Sequence, residues 1–231
     1  MGSVEEPSAG RGPLIMQRAP LFAEGGPRRL LALGAHCDDI EIGCGGTLLR
    51  FLGERSDLEV RWVVFCSTAE RAREAHASAA AFLQGARKAE VMVREHRDGY
   101  LPHSGAAVKD EFEALKREYS PDLILTHYRH DLHQDHRLVS ELTWNTWRNH
   151  LILEYEIPKY DGDLGAPNFF SPLAAAGLER KIALVLEHFP TQAVKPWFNA
   201  DLFRALARIR GMECVAPEGF AEAFYCRKAV F

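Results

Sequence analysis

The chain has 231 residues, 47% of them apolar and 26% charged, with a formal net charge of −4. That length suits one large domain whose core needs no staples, and the scattered charge gives no basic footprint for nucleic acid or anionic membrane. No stretch approaches the ~18 consecutive apolar residues of a membrane span. The five cysteines (Cys37, Cys44, Cys66, Cys214 and Cys226) are odd in number and form no CxxC pair. A disulfide framework or thiolate zinc site is therefore not expected, and a cytoplasmic location is.

Residues 1–27 carry Gly, Pro, Ser and Arg without a continuous apolar segment. They read as a loosely ordered N-terminal extension with no secretory leader, ahead of a single domain over 28–231. Strands are expected at 29–35, 59–67, 88–94 and 122–127, alternating with helices at 43–52, 69–83 and 108–119. The strands are near-continuous apolar runs, as in a parallel sheet covered on both faces. Beyond about residue 150 come a fifth strand at 151–155, a Gly/Pro/Asp/Asn-rich functional loop at 158–172, helices around 173–187 and 201–210, and a last strand at 221–228. This order predicts a three-layer, Rossmann-like α/β domain with a mostly parallel central sheet.

Ligands of open α/β sheets bind outside the carboxyl ends of the strands. Two polar segments fall at such ends. The first reads Ala35-His36-Cys37-Asp38-Asp39, after the first strand. His36 and Asp39 are three apart, so one turn can aim both inward, and hydrolytic zinc sites commonly use His and carboxylate ligands with one position left for water. Of the adjacent carboxylates, one can bind metal while the other handles protons. Gly43, Gly45 and Gly46 follow, and are expected to let backbone approach the site closely. Alone, the segment also reads as a polar turn capping the next helix. The second segment, Tyr128–His136 (YRHDLHQDH), follows the fourth strand. His127, His130, His133 and His136 recur every third residue, a density hard to explain as packing, although the segment alone also reads as a solvated polar loop.

AHCDDIEIGCGGTL with a later HQDH resembles the PIG-L/LmbE family of zinc-dependent N-acetylglucosaminyl deacetylases, whose signature is AHPDD followed by HxDH. The likeness runs in order over residues 28–140. It implies a metal-dependent N-deacetylase acting on an N-acetyl amino sugar, small or glycoconjugate, with Zn²⁺ (or Fe²⁺ in the cell) as cofactor. By the same resemblance His36, Asp39 and His136 bind the metal, Asp38 is the general base, and His133 stabilises the oxyanion in a protonated form. Cys37 departs from the family's usual Pro, which loosens the turn but removes no ligand. Asp135 is read as a carboxylate orienting a histidine.

Weaker candidates for substrate contact are Arg71 (with Arg73 nearly equivalent), Asp98 in an Asp-Gly turn, and His188 within EHFPTQ. Tyr160 and Asp161 are candidates at the substrate mouth. His127 and His130 are expected not to be ligands, and Trp144, Trp147 and Phe82 to belong to the core. Two other readings stand beside deacetylation: hydrolysis of a non-sugar amide, and a non-catalytic ligand-binding protein of the same fold. A dinucleotide site is set aside, because GCGG does not form GxGxxG and the acidic HCDDIE would repel a pyrophosphate.

Overall fold

A computed structural model describes residues 26–230. All but the last two residues of the expected extension over 1–27 lie outside the described residues. Within them a seven-stranded sheet runs in the order β3-β2-β1-β4-β5-β7-β6. Five strands are mutually parallel: β1 (Arg29–Gly34), β2 (Glu59–Cys66), β3 (Lys88–His96), β4 (Leu123–His127) and β5 (Leu151–Tyr155). At the far edge β7 (Phe220–Cys226) runs antiparallel to both β5 and β6 (Phe169–Leu173).

Successive side chains of a strand face opposite ways, and β1 shows it. Leu30 and Ala32 enter one core with Phe82, Leu178 and Phe203. Leu31 and Leu33 enter another with Val108, Phe112, Val139 and Trp147. The first core is roofed by α1 (Asp39–Glu54), α2 (Ala69–Phe82), α5 (Ala175–His188) and α6 (Ala200–Glu213), the second by α3 (Gly105–Glu118) and α4 (Gln134–Thr146). The result is the expected three-layer α/β architecture with a mostly parallel sheet.

Three local expectations are corrected. Helix α1 begins at Asp39, not residue 43, so the second acidic residue of HCDD lies in its first turn. Helix α4 was not foreseen; its polar opening, with His133 as N-cap and the His133 side chain accepting the Asp135 N–H, hid a helix start. Strand β6 occupies the end of the stretch read as a loop and the first residue of the helix expected after it. It is an edge strand, where Pro172 costs no ladder bond to an inner neighbour.

Helix α1 is fixed from below by a buried ion pair. Lys181 donates to Glu222 at 2.6 Å and to the Ile42 carbonyl at 2.6 Å. The same Glu222 carboxylate accepts the N–H groups of Gly46 (2.8 Å) and Thr47 (2.6 Å). A Cβ on Gly46 would lie 3.0 Å from Glu222 Oε1, and one on Gly43 would lie 2.2 Å from the Tyr155 ring. These glycines therefore serve the close packing of α1 on its neighbours, not an approach of backbone to the site.

Candidate metal centre and active site

Strands β1 and β4 are adjacent, and the sheet continues from them in opposite directions, to β2 and to β5. A crevice opens outside their carboxyl ends at such a reversal. From β1 the chain turns through His36, Cys37 and Asp38 into α1, and from β4 it passes through Asp131 and His133 into α4. Residues that are 100 apart thus meet: His36 Nδ1 is 3.1 Å from His136 Nε2. Asp39 closes the triangle, with Oδ2 3.3 Å from His36 Nδ1 and Oδ1 3.5 Å from His136 Nε2.

Each histidine is held by its other nitrogen. His136 Nδ1 faces Asp131 Oδ2 at 2.9 Å. His36 Nε2 faces Asp98 Oδ1 at 3.0 Å and Asp135 Oδ2 at 3.2 Å, and Asp135 is itself fixed by the N–H groups of Gly99 and Leu101. Carboxylates accept, so those ring nitrogens carry the hydrogens. In the neutral rings, lone pairs of His36 Nδ1 and His136 Nε2 then face each other and the Asp39 carboxylate. Three acceptors crowd one point; the His36 backbone N–H reaches Asp39 Oδ2 at 2.6 Å, but no side-chain donor among the described residues lies between the two ring nitrogens, an arrangement that suits a cation. Tetrahedral ligands at ~2.0–2.1 Å from zinc lie about 3.3–3.4 Å apart, which matches these separations. The donor set of two imidazoles and a carboxylate also suits zinc or ferrous iron.

The electrostatics agree. Burial works against protonating His36, but Asp39, Asp135 and Asp98 outweigh it and raise its pKa well above the ordinary value. Burial likewise opposes ionising Asp39, yet His136, His127 and His36 hold it well below the usual carboxylate range. Burial lowers His136 to about 4, with nearby His127 adding to the effect. The point between these side chains attracts positive charge. His127, fully buried, accepts the Ala35 N–H at 2.9 Å and stacks on His136, with ring centroids 3.9 Å apart.

Asp38 sits beside this triangle. Burial raises its pKa, with Asp39 adding and Arg71 opposing. Arg71 Nη2 lies 3.1 Å from Asp38 Oδ1, and no hydrogen bond engages Oδ2 among the described residues. His133 uses Nδ1 to accept from Asp135 N–H, which leaves Nε2–H as its donor. Burial and the charge of His36 lower its pKa, which works against the protonated form expected of it.

Asp38, Arg71, Asp98, His133 and the triangle all line one cavity of about 740 Å³. Asp98, an exposed side chain at the mouth of the cavity, is lowered to about 2 by its hydrogen bond to His36. Tyr160 and Asp161 also border the cavity, as do Lys159, Lys195 and Trp197. His188 does not line it: the residue ends α5, and after the turn at Phe189 it is Gln192 that reaches the cavity. His130 is exposed against Tyr128, while Phe82 and Trp147 are core residues and Trp144 is half-buried.

Sequence reasoning missed Asp131 and Lys159, which pair at 3.0 Å beneath His136. Asp131 stood in view within YRHDLHQDH, but its role depends on the turn that brings it back to His136. The pairing of Arg71 with Asp38 was also unforeseen.

A family model described as PIG-L, GlcNAc-PI de-N-acetylase, matches residues 31–147. This chain belongs to the PIG-L family. The matched span includes His36, Asp38, Asp39, His133 and His136, whereas Lys159, Tyr160, Gln192, Lys195 and Trp197 of the cavity wall lie beyond it. Among solved structures, the N,N'-diacetylchitobiose deacetylase of Pyrococcus horikoshii is 21% identical, over 87% of this chain and 84% of that one, with a TM-score of 0.68. A conserved protein of Thermus thermophilus is 22% identical over 87% and 95%, TM-score 0.69. The 4-carboxy-2-hydroxymuconate hydratase GalB of Pseudomonas putida is 14% identical over 88% and 98%, TM-score 0.65. Their shared fold carries more than one chemistry, so the chemistry of this chain must be argued from its site.

Proposed function

We propose that this protein is a metal-dependent hydrolase that removes the acetyl group from an N-acetyl amino sugar, free or in a glycoconjugate, with His36, Asp39 and His136 holding Zn²⁺ or, in the cell, Fe²⁺. The observation that carries the reading is the triangle of facing acceptors, each histidine backed by a carboxylate, with a free oxygen of Asp38 beside it. Membership of a family described by de-N-acetylation supports the reaction type.

A bound divalent cation would acidify water and polarise the amide carbonyl. Asp38 Oδ2 takes the proton of a water whose oxygen adds to the acetyl carbon. His133 Nε2–H donates to the oxygen on which negative charge develops. The C–N bond then breaks as the nitrogen takes up the proton that Asp38 had accepted, which regenerates the carboxylate, and acetate and the free amine leave, so that one water is consumed per amide. Asp98 and Arg71 border the space for the sugar.

We read residues 28–231 as one deacetylase-like domain. No helix among the described residues is long and apolar enough to cross a membrane. The five cysteines are all free, which supports a cytoplasmic setting.

The test is metal-dependent release of amine from a panel of N-acetylhexosamines and their glycosides, alongside non-sugar acetamides, after chelation and after return of Zn²⁺ or Fe²⁺. Asp38→Asn should lower kcat about 10²–10⁴-fold, and His36→Ala should abolish the metal response. Turnover of only the non-sugar amides would overturn the substrate class. An Asp38→Asn protein as active as wild type would overturn the mechanism.

A further inference from the structure

Arg71 is shared between two carboxylates. Its Nη2 makes a single contact with Asp38 Oδ1 at 3.1 Å, while Nη1 donates to Glu74 Oε2 at 3.0 Å and to Thr191 Oγ1 at 3.0 Å. Its guanidinium also lies over the Phe189 ring, 5.2 Å from the centroid. Glu74 does not line the cavity, and both its oxygens are committed. Oε1 accepts the Thr191 N–H at 3.0 Å, and Oε2 accepts the Thr191 hydroxyl at 2.7 Å. Gln192, on the cavity wall, donates to the same Thr191 Oγ1 at 3.2 Å. An ion pair from Asp38 to Arg71 is thus continued by a run of hydrogen bonds through Glu74, Thr191 and Gln192.

A guanidinium beside a lone carboxylate prefers the two-pronged pairing in which both oxygens are engaged. Here Glu74 and Thr191 occupy the second prong. We infer that Glu74 is a positioning residue that holds Arg71 in one-point contact with Asp38, so that Asp38 Oδ2 stays free to accept a proton, and that Thr191 locks the far wall of the cavity to the same anchor.

The inference rests on the proposed role of Asp38. It makes Arg71 a group that orients the base, although sequence reasoning expected it to touch substrate. It also predicts what happens when Glu74 is lost: Arg71 closes onto both oxygens of Asp38 and withdraws the proton acceptor.

The experiment pairs kinetics with structure. In the metal-loaded enzyme Glu74→Ala should lower kcat about 10–100-fold, with KM within about twofold. Thr191→Val should follow it, while Thr191→Ser, which keeps the hydroxyl, should retain activity. Adding Glu74→Ala to Arg71→Met should cost nothing further, since both act through one contact. Additive losses, or an unchanged kcat in Glu74→Ala, would overturn the inference. A crystal structure of Glu74→Ala provides the independent readout, with Arg71 expected on both Asp38 oxygens; an unmoved Arg71 would refute the idea. That readout decides the point even if no N-acetyl sugar is turned over, a result that would sink the proposed function alone. If Glu74→Ala fails to fold, Glu74→Gln and Thr191→Val carry the same test.

Discussion

Removing Asp131 should loosen the metal centre without touching a ligand. Its Oδ2 receives His136 Nδ1–H at 2.9 Å and Lys159 at 3.0 Å, and its Oδ1 receives the His133 N–H at 2.7 Å. Asp131→Ala therefore frees the His136 ring to rotate and removes the anchor of the His133 turn. Loss of such an outer partner costs about 10–100-fold in metal affinity, equivalent to about 1.4–2.8 kcal/mol. The fold should lose more than that. Deleting one partner of a buried charge cluster costs about 3–5 kcal/mol, and Lys159 keeps its second partner Asp163, which favours the lower end. At about 2–4 °C per kcal/mol for a domain of this size, a drop of roughly 6–12 °C in Tm follows. Asp131→Asn retains one acceptor and should fall between the variant and wild type. Affinity is measured by competition with a chromophoric chelator at fixed pH, and Tm by thermal denaturation. Asp201→Ala, at a side chain 98% exposed, serves as the control. Metal affinity of Asp131→Ala within threefold of wild type would refute the claim that this carboxylate orients His136.

Two further outcomes are expected. Lys181→Met should strand the buried Glu222 carboxylate and destabilise by about 3–5 kcal/mol, whereas Lys181→Met/Glu222→Leu should lose less; urea denaturation checks both, and a single variant as stable as wild type would contradict the anchoring of α1. Because His36 has a raised pKa, the metal-free protein gains stability from its protonation that is complete below ~6.5 and fades as pH rises through the folded value. A cation must displace that proton, so apparent Zn²⁺ affinity should climb by about tenfold per pH unit across that window. Isothermal titration in buffers of different pH reads this, and a flat profile would rule it out.

The parallel half of the sheet was legible because β1, β2, β4 and β5 are buried on both faces and so read as near-continuous apolar runs, interrupted by single polar residues such as Arg61 and Glu154. β6 was not: it is five residues at an edge, interrupted by Pro172 and preceded by a run rich in Gly, Pro, Asp and Asn that reads as a loop. α4 was hidden for another reason. Its first turn, Gln134–Asp135–His136, is polar because of what it does at the site, and its apolar face begins only at Leu138. At the site itself the chemistry-bearing residues were visible, since HCDD and HQDH keep their members close in sequence. What could not be read were the contacts made across the chain: Lys159 beneath Asp131, Arg71 on Asp38, Thr191 on Glu74. The misplacement of His188 has the same origin, since a single turn at Phe189 decides which neighbour faces the cavity.

The cavity is assembled from two regions of the chain. Everything that would hold a cation or move a proton comes from the span before Trp147, while much of the opposite wall comes from Ile157 to Asp161 and Gln192 to Trp197. On the proposed function, reaction and choice of substrate are then separable in part, since Arg71 and Asp98 of the first span also border the substrate space. Exchanging those two short segments between relatives, with Lys159 kept on Asp131, should shift substrate preference while leaving the metal centre in place.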